Sequence, residues 1–502
     1  MPLTSLTIAP GIVTDETPTA AEGRYTAADK VRFRDGRPEV VGGWEAAITS
    51  KVTGVCRGLH VWSDNSGAPH VGIGTHSKLH VYVGGGLYDI TPPALAAGNV
   101  DGTGGQGYGT GTWNTGTYGT ASSVEYFPRT WSLDNWGEYL VGNPRGGGVY
   151  QWTGNTGTPA ALVTNAPTQA TCLFVTPQRH LVLCGTTEEG TGTFNPMLVR
   201  WSDQENNTVW TSSATNQAGE QPLAGGGRIV RGLVGRGENL IFTDDGLHSM
   251  RFDPSFVFTF QALGSKCGLI GPNAVAMKDG AAFWMSNSGQ FYVYQGGAPQ
   301  VLPCPVRRHV FDNLSFVQAD KVYAGVNSVA NEVWWFYPDR RDGNEVSRYV
   351  AYNYAEGLWS IGTWMRTAWA DAGALPSPIA IDLDGSVYFH ERGQSANGGA
   401  IAASLESGFV DIGDGDTLMH VKRIVPDFKG LVGGVDVSLV SRPWPQGSET
   451  TSGPYTIAST TQKVDCRVTG RQIAFRLESN SAPSFWRLGD MRVEMQATGA
   501  RR

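Results

Sequence analysis

Carboxylates are the side chains of this sequence with the clearest capacity for chemistry. Asp411, Asp414 and Asp416 stand close together in the run VDIGDGDTL, and closely spaced carboxylates are ligands that Ca²⁺ prefers. The run lacks the length and the terminal Glu of an EF-hand loop, and Asp and Gly are also the ordinary turn residues between strands. A calcium site is one interpretation of this run, and a simple turn is the other.

Motifs for catalysis are otherwise missing from the sequence. No GxSxG, HExxH, Walker or Rossmann pattern occurs in a strand-then-helix setting. Residues 63–67 partly resemble the Asp-box turn of sialidases, but the run lacks the Thr-x-Trp ending and is interpreted as a turn. A glycosidase needs two carboxylates within about 10 Å of each other, and no pair stands out among Glu125, Asp134, Asp244 and Asp384. We therefore predict no catalytic residue and no cofactor, so the protein is not expected to be an enzyme.

A basic hairpin tip is the remaining candidate site. Arg32, Arg34, Asp35 and Arg37 fall together in the run KVRFRDGRPEVVGGW. Guanidinium groups pair well with carboxylates, so this tip could bind another subunit. A solvated turn is the alternative.

Short strands must position these groups, because apolar and polar residues alternate with a period of two between Gly, Asn and Asp turns. One element, a Gly-bearing turn followed by an apolar and aromatic strand, returns in five copies: GGLYDI, GGGVYQW, DGLHSMRF, SGQFYVY and DGSVYFHE. With looser copies between them, the modules repeat about every 40 to 60 residues, a spacing typical of four-stranded propeller blades. We predict an all-β protein with a β-propeller of six or seven blades over residues 51–395. Two unrelated β-sandwiches are the alternative.

Residues 98–119 interrupt this pattern with GNVDGTGGQGYGTGTWNTGTYG, which is too poor in aliphatic residues to offset its ordering entropy. Three aromatic residues, Tyr108, Trp113 and Tyr118, could anchor this flexible insertion to another surface, as a gate or an arm. A plain linker is the alternative.

Segments at both ends of the chain lie outside the predicted propeller. Residues 1–50 are predicted as an extended or β segment that packs on the propeller or closes it. After the small-residue run GQSANGGAIAAS, residues 400–502 give five or six alternating strands and predict a C-terminal β-sandwich, a platform-like domain. The N-terminal residues have no basic region, and their apolar run ends at Pro10, so neither a signal peptide nor a transmembrane start is expected.

Composition limits the partners of the chain. The formal net charge is -7, which gives no strong attraction to phosphates and argues against sequence-specific DNA binding. The six cysteines lack CxxC spacing and are predicted to be buried free thiols, with Cys172 and Cys184 able to face each other on paired strands.

Several runs, in order along nearly the whole chain, resemble the tail nozzle proteins of short-tailed bacteriophages, or podoviruses, also called tail tubular protein B. These runs are PGIVTDETP, VRFRDGRPEVVGGW, QGYGTGTWNTGTYGT, RYVAYNYAEGLWSIGTWMRTAW, FVDIGDGD, GPYTI, VTGRQIAFRLES and FWRLGDMRVEM. Each run by itself is only a turn-and-strand signature, so the specificity lies in their combination.

This resemblance implies a virion structural protein, made in the host cytoplasm and built into the phage tail. A propeller protomer would form a ring, a homohexamer, below the portal and adaptor proteins, where it retains the double-stranded DNA and conducts it during ejection. The host envelope would meet the ring at ejection. Larger members carry inserted domains that dock tail fibres, and 502 residues leave little room for them, although a fibre remains a further partner.

Two rival functions stay open at the level of the sequence. One is a propeller that binds or cleaves host-surface glycans, with Trp62, Trp131 and Trp136 as stacking platforms. The other is a propeller outside any ring that serves as a hub or baseplate scaffold.

Overall fold

The structure, a computed structural model, describes residues 3–103, 127–412 and 415–498. Nearly all regular structure in these residues is β-strand, and the predicted all-β class is confirmed. The helical elements among them are α1 (Arg307–Phe311) and a 3₁₀ turn (Phe316–Lys321). None of the described helices has the length and apolar character needed to cross a membrane.

Short strands at the start of the chain serve different parts of the fold. They are β1 (Leu3–Ser5), β2 (Ala9–Ile12), β3 (Arg24–Asp29), β4 (Val31–Arg34), β5 (Arg37–Val40) and β6 (Trp44–Ala46).

Seven four-stranded antiparallel sheets follow in the described residues, and each is called a blade. Blade 1 contains β7 (Cys56–Ser63), β8 (Pro69–Thr75), β9 (Leu79–Val83) and β10 (Gly86–Asp89). Blade 2 contains β11 (Trp131–Trp136), β12 (Tyr139–Pro144), β13 (Tyr150–Trp152) and β14 (Ala161–Leu162). Blade 3 contains β15 (Ala170–Val175), β16 (Leu181–Thr187), β17 (Phe194–Trp201) and β18 (Gly219–Pro222). Blade 4 contains β19 (Ile229–Val234), β20 (Asn239–Thr243), β21 (Gly246–Asp253) and β22 (Val257–Ser265).

The last three blades complete the circle. Blade 5 contains β23 (Val275–Lys278), β24 (Ala281–Met285), β25 (Phe291–Tyr294) and β26 (Gln300–Leu302). Blade 6 contains β27 (Tyr323–Asn327), β28 (Glu332–Pro338), β29 (Val346–Asn353) and β30 (Leu358–Thr363). Blade 7 contains β31 (Arg366–Ala370), β32 (Ile379–Asp382) and β33 (Val387–His390), and its outermost strand is β6 from the N-terminal segment.

The first strand of each blade is the innermost one, and the first strand of blade 7 contacts that of blade 1. The blades therefore close into a seven-bladed β-propeller, which confirms the predicted architecture and fixes the blade count in the described residues. Strands in the middle of a blade are covered on both faces and lose the alternation of polar residues: all seven residues of β28, EVWWFYP, are buried.

Tryptophans join neighbouring blades. The Trp131 indole in blade 2 donates to the Thr75 carbonyl of blade 1 at 2.7 Å, and Trp369 in blade 7 donates to Val326 of blade 6 at 2.7 Å. A Cβ at Gly74 would lie 2.3 Å from Cγ of Trp131, so this position admits only glycine. The abundance of Trp and Gly in the sequence reflects this packing between blades.

C-terminal strands build three further sheets together with β1–β5. The strands are β34 (Ala403–Ser407), β35 (Leu418–Val425), β36 (Phe428–Val432), β37 (Val435–Arg442), β38 (Thr450–Ile457), β39 (Val464–Gly470), β40 (Gln472–Ser479), β41 (Phe485–Leu488) and β42 (Arg492–Thr498). The sheet orders are β1-β42-β35-β39, β2-β3-β34-β40-β37-β38 and β36-β41-β5-β4. The C-terminal sheets thus take five of their strands from the N-terminal segment.

The first two of these sheets pack face to face. Met419 and Val421 of β35 share a buried apolar layer with Leu439 of β37 and Phe475 of β40. The alternation of β39, with buried Cys466, Val468 and Gly470 between exposed residues, is typical of a sheet with one face on a core.

Candidate functional site

The predicted hairpin tip is a two-residue turn between β4 and β5. Asp35 and Gly36 both have positive φ, 50° and 68°, as the tight turns of two-residue hairpins require. Their backbone N–H groups donate to the two carboxylate oxygens of Glu356, each at 2.8 Å. The tip is therefore held on the β29–β30 turn of blade 6.

Arg32 lies behind this tip and is buried. Its Nη1 and Nη2 donate to the Glu391 carboxylate at 3.1 and 2.6 Å, and its Nε lies 3.7 Å from Glu332. Burial raises the pKa of Glu332 to about 7, against the pull of Arg32. Burial acts on Glu391 in the same direction, but the ion pair with Arg32 outweighs it and lowers the pKa of that carboxyl.

The other hairpin charges also find partners in the same chain. Arg34 lies 3.3 Å from Glu39. Arg37 makes two hydrogen bonds to Asp490, at 2.5 and 3.1 Å, and Asp35 accepts one from Arg487 at 2.9 Å. We call residues 31–40 with these partners the junction, because they join the propeller to the C-terminal sheets. The inter-subunit role predicted for Arg32, Arg34, Asp35 and Arg37 stays a prediction.

A second charged cluster, here called the axial network, was not recognised from the sequence. Arg57 Nη2 in blade 1 donates to both carboxylate oxygens of Glu345 in blade 6, at 2.7 Å each. Arg145 in blade 2 lies 3.0 Å from Asp320, at the entry to blade 6. Blades 1 and 6 are separated by blade 7, and blades 2 and 6 by two blades, so these contacts cross the propeller axis.

Lys321 lies at the centre of the axial network. Its side chain is fully buried, and Nζ binds Asp101 at 2.5 Å and Glu345 at 2.9 Å. The start of the first strand and the turn between the second and third strands lie at the same end of a blade. The residues of the network occupy these two places: Arg57, Arg145, Glu345 and Lys321. Charged side chains therefore close this end of the axis.

The Gly-rich segment departs from the same end. Gly102 exchanges two hydrogen bonds of 2.9 Å with the buried Gln318 side chain, and the Gly98 N–H donates to His76. Gly98, Asp101 and Gly102 are thus bound to the propeller, so the start of the predicted flexible insertion is held in place although Val100 is exposed. Tyr108, Trp113 and Tyr118 lie outside the described residues, so the gate or arm role stays a prediction.

The acidic run is a turn in the part that the structure describes. Asp411 accepts a hydrogen bond from Gln472 at 3.2 Å, and Arg471 Nη1 donates to the carbonyls of Gly415 and Asp416 at 2.9 Å each. Asp414 lies outside the described residues. Elsewhere in the described ranges, no three His, Cys, Asp or Glu side chains are grouped as metal ligands.

The carboxylates weighed for a glycosidase stand on different blades. Asp134 accepts from the Val175 N–H, Asp244 from the Gly227 N–H, and Asp384 pairs with Lys51. Glu125 lies outside the described residues. At the Asp-box-like run, Asp64 accepts from the N–H groups of Ser66 and Ala68, which confirms a turn.

The aromatic platforms of the glycan hypothesis are not at the surface. Trp62, Trp131 and Trp136 are 4%, 1% and 8% exposed, so no sugar ring can stack on them. Their use as platforms was a wrong expectation, because their indoles fill the space between blades. Sequence reasoning missed this role because local pattern does not distinguish a buried from an exposed tryptophan.

The prediction of buried free thiols is confirmed for five cysteines, whereas Cys304 is only half-buried. All six cysteines are unpaired, and Cys172 lies directly opposite Cys184 on β15 and β16. Both are buried in blade 3.

An open cleft of about 420 Å³ lies between blades 4, 5 and 6 and was not predicted from the sequence. Phe283, Tyr352 and Tyr354 form its aromatic wall. Glu238 lines it and accepts hydrogen bonds from Tyr294 at 2.6 Å and Arg251 at 3.1 Å. The cleft exists only through the packing of three blades, so no single run of the sequence signals it.

No family model and no curated protein matches this sequence. Among solved structures, a computationally designed protein, Ika8, is 14% identical with a TM-score of 0.37, covering 69% of this chain and 100% of its own. YCF48 bound to D1 peptide is 10% identical with a TM-score of 0.38, covering 70% of this chain and 97% of its own.

Proposed function

We propose that this chain is a structural subunit of a phage tail nozzle, a ring that retains DNA in the virion and conducts it during ejection. The observation that supports this proposal most is the junction. Three of the runs that resemble nozzle proteins are far apart in the sequence and meet there: VRFRDGRPEVVGGW, RYVAYNYAEGLWSIGTWMRTAW and FWRLGDMRVEM. Asp35 contacts Arg487, Gly36 contacts Glu356, and Arg37 contacts Asp490.

Runs that are far apart in the sequence are therefore in contact in the fold. The resemblance covers a connected part of the structure, the joint between the propeller and the C-terminal sheets, which supports the proposal. A mechanical subunit needs such a joint, since load on the C-terminal sheets must reach the propeller. The bidentate pairs of Arg32 and Arg37 are the kind of contact that fixes relative orientation.

The closed axis supports a specific route for DNA. Arg57, Lys321 and their carboxylate partners fill one axial end of the propeller, so DNA passes along a lumen that several subunits enclose, not through any single subunit. The net charge of -7 fits a conduit wall, because an acidic surface does not hold phosphates by counterion release.

Packaged particles made without this chain test the proposal. We expect heads that fill with DNA and then lose it, while particles supplied with the purified chain retain it. Nuclease sensitivity of the packaged DNA measures the difference. Particles that lack the chain and still protect their DNA would falsify the proposed role.

A further inference from the structure

The cleft between blades 4, 5 and 6 is built by turns at the blade end opposite the axial network. The β19–β20, β23–β24 and β25–β26 turns line it together with the end of β29. Its volume of about 420 Å³ falls in the size range of small-molecule sites. All of its lining residues belong to one chain, so a ligand bound here needs no second copy of the protein.

Three aromatic rings form a shallow wall of this cleft. The Phe283 centroid lies 6.3 Å from those of both Tyr352 and Tyr354, with interplanar angles of 46° and 32°. Phe283 is 4% exposed and supports the two tyrosines, which are half-buried and reach the cleft. A cage for a quaternary ammonium surrounds the cation with aromatic faces, whereas these rings lie side by side. The wall therefore fits the flat apolar face of a ring-shaped ligand.

The charged side chains that line the cleft balance one another. Arg236 and Lys278 are cationic, and Glu238 and Asp279 are anionic. Lys278 lies 3.4 Å from Asp279, so one cation already faces one anion. With two charges of each sign, the cleft favours neither an anionic phosphate nor a cationic amine. An uncharged polar ligand fits this balance.

Glu238 is a fixed acceptor in the cleft. Its Oε2 accepts from Ser249 and Arg251, and its Oε1 accepts from Tyr294 at 2.6 Å. Tyr294 is the one donor to Oε1 among the described residues, which leaves an acceptor position for a ligand hydroxyl. Burial acts to raise the pKa of Glu238, but the hydrogen bonds from its three neighbours outweigh burial and lower that pKa. A glycosidase acid needs a raised pKa, so this carboxylate is suited to binding and not to cleavage.

We propose that this cleft binds an uncharged saccharide, with Tyr352 and Tyr354 stacked on pyranose rings and Glu238 accepting hydrogen bonds from hydroxyl groups. A pyranose has an apolar face that packs on an aromatic ring and a rim of hydroxyls that need donors and acceptors. Gln295 is exposed, lines the cleft and offers both through its amide. The inference goes beyond the proposed function and does not rest on it, because the site is complete within one copy.

Saturation-transfer NMR on the full-length chain tests the site with three neutral probes: maltohexaose, cellohexaose and the hexamer of N-acetylglucosamine. We expect the wild-type protein to saturate the ring protons of at least one probe. Tyr354→Ala removes one stacking face and is expected to weaken the affinity for that probe by roughly tenfold. Tyr88→Ala is the matched control, because Tyr88 is 39% exposed on β10 of blade 1, outside the cleft, and should leave the affinity unchanged.

A second variant separates loss of binding from loss of folding. The Tyr354 hydroxyl also donates to Asn331 at 3.3 Å, whereas Gln295 is exposed, so Gln295→Ala should keep the wild-type melting temperature and still weaken binding of the same probe. The inference is overturned if no probe binds at millimolar concentration, or if both cleft variants bind as well as Tyr88→Ala does. Binding of dextran sulfate without binding of any neutral probe also refutes it. Each of these results leaves the nozzle proposal intact, because DNA retention tests that proposal separately.

Discussion

At the scale of single residues, Arg32 is the central residue of the junction. Its guanidinium is buried between Glu391 and Glu332, and a buried cation is tolerated only beside an opposite charge. The sequence identified this arginine as chemically important, but it could not show that the partners are intramolecular, because Glu391 is 359 residues away.

Replacing Arg32 by alanine leaves two buried carboxylates without their cation. We expect the free energy of unfolding to fall by about 3–5 kcal/mol, as for other broken buried ion pairs. Urea denaturation followed by tryptophan fluorescence measures the change. Arg34→Ala, on the same strand and 38% exposed at its side chain, is the control and should cost less than about 1 kcal/mol. Equal losses for the two variants contradict a buried ionic joint.

The raised pKa of Glu332 predicts that the stability of the fold depends on pH, with a definite sign. Its pKa is about 7 in the folded chain and 4.5 as an ordinary carboxyl, so the folded state binds more protons between these values. The stability that this group contributes therefore falls as the pH rises from 4.5 to 7 and is constant outside that window.

Glu332→Gln removes this titration while keeping an oxygen for the Trp334 indole, which donates to Glu332 at 3.0 Å. We expect the variant to equal wild type near pH 4.5 and to exceed it at pH 8 by about 3 kcal/mol. Urea midpoints at the two pH values give the comparison, and the difference between the proteins cancels other titrating groups. A difference that does not change with pH would show that Glu332 is ionised throughout.

At the scale of elements, the sequence predicted the blades well because their signals are local. Four of the five Gly-turn copies are the third strand of a blade, in β13, β21, β25 and β33. The turn before the third strand is short and often requires glycine, and that requirement is visible in a window of a few residues. The remaining copy, GGLYDI, is the fourth strand of blade 1.

Elements that depend on distant partners could not be predicted this way. Strand β6 completes blade 7 by pairing with β33, more than 300 residues later. Strands β1–β5 belong to the C-terminal sheets, so their pairing also depends on residues far along the chain. The axial network also joins residues from separate blades, so no spacing in the sequence indicates it.

The Gly-rich segment gives a prediction at this scale. Deleting residues 98–119 removes the ion pair of Lys321 with Asp101 and the hydrogen bonds of Gln318 with Gly102. We therefore expect the free energy of unfolding to fall by about 3 kcal/mol. Deleting only residues 104–119 keeps both contacts and is expected to preserve the urea midpoint. If the two deletions unfold at the same urea concentration, the axial contacts of residues 98–103 do not stabilise the fold.

At the scale of the whole molecule, the propeller and the C-terminal sheets are joined into one body. The seven-bladed propeller is closed by an N-terminal strand, and the N-terminal segment also supplies strands to the C-terminal sheets. A single chain segment thus ties both parts, with the junction between them. Such a body suits a load-bearing subunit, and the central claim is that several copies form a closed ring.

Native mass spectrometry of the purified full-length chain tests that claim most directly. The account predicts one dominant closed assembly, six chain masses by the resemblance to nozzle proteins, whose size does not grow with concentration. A chain that remains monomeric at all concentrations, or that forms an open-ended series of oligomers, would contradict it.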